Sequence, residues 1–394
     1  MSLRLKRISS LITESRDVGD RPFVALENVE AGTGRLTSSL TDVPVRSNGE
    51  RGAITVERGD VLFGKLRPYL AKSWCVDAAI YASTELMALR PSPECDGKWL
   101  SYLVASKPAI EWAVATSEGT KMPRTSWEKF GYLMLATMPD LQSQRAIASY
   151  LDKETARIDA LIEKKQRMVE LLEERYDSFV DKLITYNSYG VERAVGRLIA
   201  MQITDGPHET PEFVDEGVPF LSIEAIKDNE LDFEGCRFIS RADHIAYSKK
   251  TSPRKDDVLL AKTGATIGKT ALVRSAAVFS IWSPLALLRP KVSEIMPEFL
   301  WHCLRTKYVQ KQIRLNATQN TQPNIAMGDI SGLRIRVPPI EMQFELLNLL
   351  NCESVRIANL QTTLAAQTEL LGERRMSVIT AAVTGQLEIP SVAA

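Results

Sequence analysis

The chain repeats itself. Shifting the sequence by 199 positions (338 minus 139) lays Pro338–Thr384 over Pro139–Thr185 without a gap. Pro139, Gln144, Leu151, Glu154, Arg157, Ile158 and Leu161 then coincide with Pro338, Gln343, Leu350, Glu353, Arg356, Ile357 and Leu360. Leu171, Leu172, Glu174 and Arg175 continue the match at Leu370, Leu371, Glu373 and Arg374. Identities that stay in register this long mark one structural unit used twice, so the fold must hold two copies of the same element. The regions before these segments echo more faintly. "GDVLFGK" (59–65) parallels "DDVLLAK" (256–262), and "LMALRP" (86–91) parallels "LALLRP" (285–290).

The strong copies read as helices. Leu151, Ile158, Lys165, Leu172 and Phe179 recur every seven residues, as do Leu350, Ile357, Leu364, Leu371 and Val378. Ile162, Val169, Tyr176 and Leu183 fill the intermediate step, giving the alternating four-three seam of a coiled coil. About forty helical residues would extend roughly 60 Å. A helix that long needs a partner along its seam, and the chain offers one matching helix. The alternative is two ordinary amphipathic helices in separate cores. The faint copies carry short β-branched runs between Gly, Pro, Asp and Asn turns, with helical stretches late in each. They read as mixed domains with curled antiparallel sheets.

Composition limits the function classes. A chain of 394 residues holds two or more domains. With 44% hydrophobic and 25% charged residues it can build real cores. Lys plus Arg and Asp plus Glu both number 49, so any polyanion-binding surface must be local. No apolar run is long enough for a membrane span, and the start lacks a signal-peptide core, so a cytoplasmic location is expected. The five cysteines and three histidines are scattered, which argues against a disulfide framework or a metal cluster.

The stretch "AKTGATIGKTALV" (261–273) suggests a phosphate-binding loop. That loop needs four residues between its glycines, then Lys-[Ser/Thr]. Here only Ala265, Thr266 and Ile267 separate Gly264 from Gly268, and "TALVR" reads as a strand where a helix is required. Lys269 also falls opposite Lys72 of "GKLRPYLAK", which has no phosphate-loop character. A turn between two strands fits better than a nucleotide site.

The order of these features resembles the DNA-specificity subunit of type I restriction-modification systems. The resemblance covers nearly the whole chain. It rests on "FVALENVEAGTGRL", "ITDGPHETPEF", "VLLAKTGATIGKTALV", and a P-x-x-x-x-Q run leading each helix, all arranged twice. It implies an α+β fold: two β-rich target-recognition domains and two long antiparallel coiled-coil helices, related by an internal pseudo-twofold repeat. The expected boundaries are 1–138 and 187–337 for the recognition domains, 139–186 and 338–386 for the helices, and 387–394 for a tail. It further implies that each domain reads half of a bipartite DNA site. The helices would set the gap and dock two methyltransferase subunits, with restriction and translocase subunits joining the complex. No cofactor is expected in this chain; S-adenosylmethionine, ATP and Mg would sit on the partner subunits.

The residues support a reader over an enzyme. The sequence has no Asn/Asp-Pro-Pro-aromatic loop and no glycine fingerprint between strand and helix. Asp256–Asp257 ahead of Lys262 resembles a nuclease cluster, but both acids lie at a strand start, where turn-forming Asp is common. A self-contained nuclease or NTPase and a structural coiled-coil adaptor are the competing readings. DNA binding needs cations for phosphates and amides or guanidinium groups for bases. Over 245–274, seven Lys and Arg oppose two Asp (7 − 2 = 5), and Arg58, Lys65, Arg67 and Lys72 oppose Asp60 in the first copy. Candidate contacts are therefore Lys65, Arg67 and Lys72 in the first copy and Lys262, Thr263 and Lys269 in the second. Lys121 and Arg124 of "GTKMPRTSW" and Gln319, Asn320 and Gln322 of "NATQNTQPN" are expected to contact bases or backbone, and "DGPHETP" is either a further contact with His208 as a donor or a rigid turn held by its two prolines.

Overall fold

The computed structural model describes residues 3–13, 20–46, 53–318 and 322–389. The chain divides into two compact units, Met1–Met168 with Thr363–Ala394, and Val169–Thr362. Each unit therefore contains a β-rich head and parts of both long helices, Leu141–Thr185 (45 residues) and Ile340–Val383 (44 residues).

The first unit builds a four-stranded antiparallel sheet in the order Ser9–Leu11, Leu86–Pro91, Val61–Gly64, Ser73–Cys75. The second unit repeats it as Thr204–Asp205, Leu285–Leu288, Val258–Ala261, Thr270–Leu272. Val61–Gly64 and Val258–Ala261 are buried along their whole length, as central strands covered on both faces must be. The strands "VLFG" and "VLLA" consequently show no alternation.

A second sheet in each unit departs from the antiparallel expectation. Arg21–Val24 runs parallel to Ile80–Ser83, and Val218–Leu221 runs parallel to Ser280–Ile281. The reason is connection length: more than fifty residues separate each pair, enough chain for a crossover, whereas a hairpin would enforce antiparallel pairing.

The helix pair is antiparallel within each unit. In the first, Asp159 meets Arg375 at 2.9 Å and Lys165 meets Gln367 at 2.5 Å, so one helix ascends in number as the other descends. In the second, Glu173 meets Gln361 at 3.1 Å and Arg175 meets Glu353 at 3.6 Å. The four-three seam is real: Leu151, Thr155 and Ile158 are buried, and Ile162, Lys165, Val169, Leu172 and Tyr176 are half-buried on otherwise exposed turns. The helix ends enter the cores of the heads. Ile147, Ala148, Leu151, Ile379, Ala382 and Val383 join Phe63, Trp99 and Phe130, while Val180, Ile184, Leu346, Leu347 and Leu350 join Phe299, Leu300 and Ile335. This apolar anchoring answers the question of separate cores: each unit has one main core that takes in both helices.

Candidate nucleic-acid interface

The two loops singled out in each sequence copy come together in the structure. In the first unit, Thr125 N donates to Lys65 O (2.9 Å), Arg67 N to Pro123 O (2.7 Å), and Glu118 and Arg124 exchange two 2.9 Å backbone bonds. In the second, Ile325 N donates to Lys262 O (2.9 Å), Gly264 N to Pro323 O (2.8 Å), and Thr318 N to Asn324 O (2.9 Å). The same backbone clasp is made twice with different side chains. Sequence similarity could not show this, because the contact runs through main-chain groups.

Side chains on the clasp differ between the units. In the first, Arg67 stands in the left-handed region (φ 51°) and is exposed beside the exposed Tyr69. Lys121 is exposed at the loop tip after Gly119, and Arg124 is exposed while its guanidinium contacts Glu85 at 2.6 Å. Lys65 is half-buried and donates to Thr84 O at 2.7 Å. Lys72 is turned to Leu26 O at 2.9 Å. Those two ammonium groups hold backbone carbonyls, which ties them to the scaffold beneath the clasp.

In the second unit, Thr263 is half-buried, and Gln322 and Asn324 are exposed. Gln319 and Asn320 lie outside the described residues. Lys262, expected to project, is only 8% exposed. It points at Asp205, a carboxylate with no exposed surface, at 3.0 Å. Lys250 reaches the same carboxylate at 2.5 Å and the exposed His208 approaches at 3.2 Å. Burial pushes the Asp205 carboxyl up, but Lys250 and Lys262 outweigh that effect and hold it below the usual carboxylate range. Lys269 is exposed and lines a cavity with Asp177, Asp181, Arg305 and Gln310.

The competing chemistries find little support. Gly264 (φ 76°) and Gly268 (φ 87°) form a turn between strands Val258–Ala261 and Thr270–Leu272, without the helix a phosphate loop needs. Asp257 is buried and clamped by Arg289 through two hydrogen bonds of 2.8 and 2.7 Å. Asp60 is held by Arg90 in the same way, at 3.0 and 2.7 Å. Asp256 takes a positive φ of 72°, where the first copy has Gly59 at 93°. These acids shape a turn. Among the described residues, no group of three or more His, Cys, Asp or Glu could hold a metal ion. Among the described residues, no helix is long and apolar enough to cross a membrane.

Residues 208–371 match the model of the type I restriction modification DNA specificity domain. The type I restriction enzyme EcoBI specificity subunit of Escherichia coli is 22% identical over 238 residues, covering 54% of this chain and 50% of that protein. The chain thus spans about half the length of the curated relative it matches. Residues 208–371 are thus similar to the type I restriction modification DNA specificity domain. Two solved structures share the fold. One comes from work on assembly and conformational transition of the type I R-M system (TM-score 0.74, 18% identity, 98% of both chains). The other is the HsdS subunit from Thermoanaerobacter tengcongensis (TM-score 0.57, 18% identity, 98% of this chain and 97% of that one).

Two features of this fold were not legible in the sequence. The P-x-x-x-x-Q glutamines are clamps. Gln144, fully buried, accepts from Asp96 N (2.7 Å) and donates to Glu94 O (2.9 Å) and Pro139 O (2.8 Å). Gln343 repeats this with Met296 N (2.8 Å), Glu294 O (3.1 Å) and Pro338 O (2.9 Å). The repeat of the glutamine was the signal; its physical role was not legible. The second feature is Arg375, a buried seam residue that binds Asp159 and donates to the carbonyls of Gly32 and Thr33. It thereby docks "AGTG" of the early motif on the helix pair.

Proposed function

We propose that the chain is the non-catalytic DNA reader of a type I restriction-modification complex, each head recognising half of a bipartite site. The observation that carries this reading is the duplicated clasp, which builds one frame twice and dresses it differently. The first copy offers Arg67, Lys121 and Arg124, suited to guanine edges and phosphates. The second offers Thr263 and Gln322, with Gln319 and Asn320 in the adjoining segment, suited to adenine, and His208 as a further donor. Lys65, Lys72 and Lys269 supply positive charge behind these contacts, and Lys262 offsets the buried Asp205. We assign 1–138 and 187–337 as the recognition domains and the helices as the spacer on which two methyltransferase subunits dock. S-adenosylmethionine, ATP and Mg would be bound by partner subunits, and the restriction and translocase subunits would join through the complex.

Methylome sequencing of a host with and without this gene tests the proposal. The expected result is loss of a methylated bipartite motif. Replacing 1–138 with the same region of a relative should change one half of that motif only. Methylation unchanged by deletion, or a swap that altered both halves, would overturn it.

A further inference from the structure

The geometry points to a phosphate-binding site in the second unit made by Lys250 and His208 and organised from below by the buried carboxylate of Asp205. The inference rests on the reading of this chain as a DNA binder and goes beyond it by separating residues that touch DNA from residues that position them.

Asp205 ends the strand Thr204–Asp205, and its carboxylate is buried at the foot of the clasp. One carboxylate oxygen takes Lys250 at 2.5 Å. The other faces Lys262 at 3.0 Å and His208 Nε2 at 3.2 Å, close enough for ion pairing but without hydrogen-bond alignment. The backbone is fixed too: Thr251 Oγ1 donates to Asp205 O at 2.6 Å, which pins the segment carrying Lys250. Gly206 allows the next residues to pass close to the sheet, since a Cβ there would lie 1.8 Å from Ile281 O.

Exposure sorts the roles. The Lys262 side chain is 10% exposed, against 53% for Lys250 and 70% for His208. A buried carboxylate alone would repel DNA. Lys262 neutralises it internally, so the carboxylate can hold Lys250 and His208 in place without cancelling the net positive charge of their exposed side chains. Held side chains lose less entropy on binding than free ones. In the first unit, the position matching Lys262 is Lys65, which donates to Thr84 O, so this arrangement belongs to the second head.

The full-length protein and a short duplex of mixed sequence provide the test, with affinity followed by fluorescence anisotropy across a salt series. Lys250→Gln should flatten the slope of log K against log salt by roughly 0.9, the loss of one phosphate contact. His208→Ala should weaken binding roughly threefold. Asp205→Asn combined with Lys262→Met keeps the net charge of the native protein, so bulk electrostatics predict no change; positioning predicts binding roughly three- to tenfold weaker. Circular dichroism confirms folding, and if the double variant unfolds, the two surface variants decide alone. Native slopes and affinities in Lys250→Gln and His208→Ala overturn the site while leaving the DNA-reader proposal standing. A native protein that binds no DNA overturns both.

Discussion

The side chain of Gln144 accepts a 2.7 Å hydrogen bond from the backbone N–H of Asp96, joining the first turn of a 45-residue helix to the head before it. Asp96 in turn caps the helix Gly97–Val104 by accepting from Lys98 N and Trp99 N, both at 3.0 Å. One amide therefore couples the starts of two helices. Gln144→Ala would strand one buried N–H and leave the carbonyls of Glu94 and Pro139 without this donor. The expected cost is about 2–3 kcal/mol, read as a lower denaturation midpoint. Gln343→Ala should behave alike in the second unit. A loss under about 0.5 kcal/mol would show that the clamp is incidental.

Arg375 and Asp159 make a different prediction. Arg375→Met alone leaves the mostly buried Asp159 with Arg35 as its remaining partner, at 2.8 Å. That should destabilise by about 2–3 kcal/mol. Arg375→Met with Asp159→Leu removes both charges and should recover most of the loss, because apolar replacement of a buried pair is often neutral. A double-mutant cycle on thermal unfolding checks it. Two losses that simply add would mean the ion pair has no coupling.

His302 sets a pH limit. Burial first, then the charges of Arg305 and Arg274, push its imidazole down to about 3 from an ordinary 6.5. The folded protein holds it neutral, while the unfolded chain protonates it below about 6.5. Stability that is complete above that value is therefore lost progressively as pH falls toward the folded value. By pH 5 the loss should be about 2 kcal/mol. Urea unfolding of the native protein and of His302→Phe between pH 7.5 and 5 compares the two. Parallel curves would show that another group governs acid sensitivity.

The sequence made the repeat, the long helices and their four-three seam legible because apolar spacing is a local pattern. The same holds for the turn at Gly264–Gly268, where a missing residue and a following β-rich run sufficed. What stayed hidden depends on long-range partners. Lys262 looks like any cation near a turn; only the fold brings Asp205, 57 positions earlier (262 minus 205), against it. The parallel pairing of Arg21–Val24 with Ile80–Ser83 is equally invisible, since a strand's own residues do not state its neighbour's direction. The clasp is a backbone contact, so it left no side-chain pattern to read.

The spacer makes the last prediction, which rests on the proposed function. Met168/Val169 and Thr362/Thr363 are the places where the two long helices pass from one unit to the other, with Lys165–Gln367 bonded in the first unit and Glu173–Gln361 in the second. Seven residues inserted at both places keep the four-three seam in phase and add about 10 Å of helix. At about 3.4 Å per base pair, the recognised gap should lengthen by about three base pairs while both half-sites stay the same. Five residues inserted instead would turn the seam by about 140°, expose Leu172 and Leu371, and abolish methylation. Methylome sequencing of hosts carrying each variant distinguishes them. An unchanged gap in the seven-residue variant would remove the helices from the role of ruler, and altered half-site bases would remove the independence of the two heads.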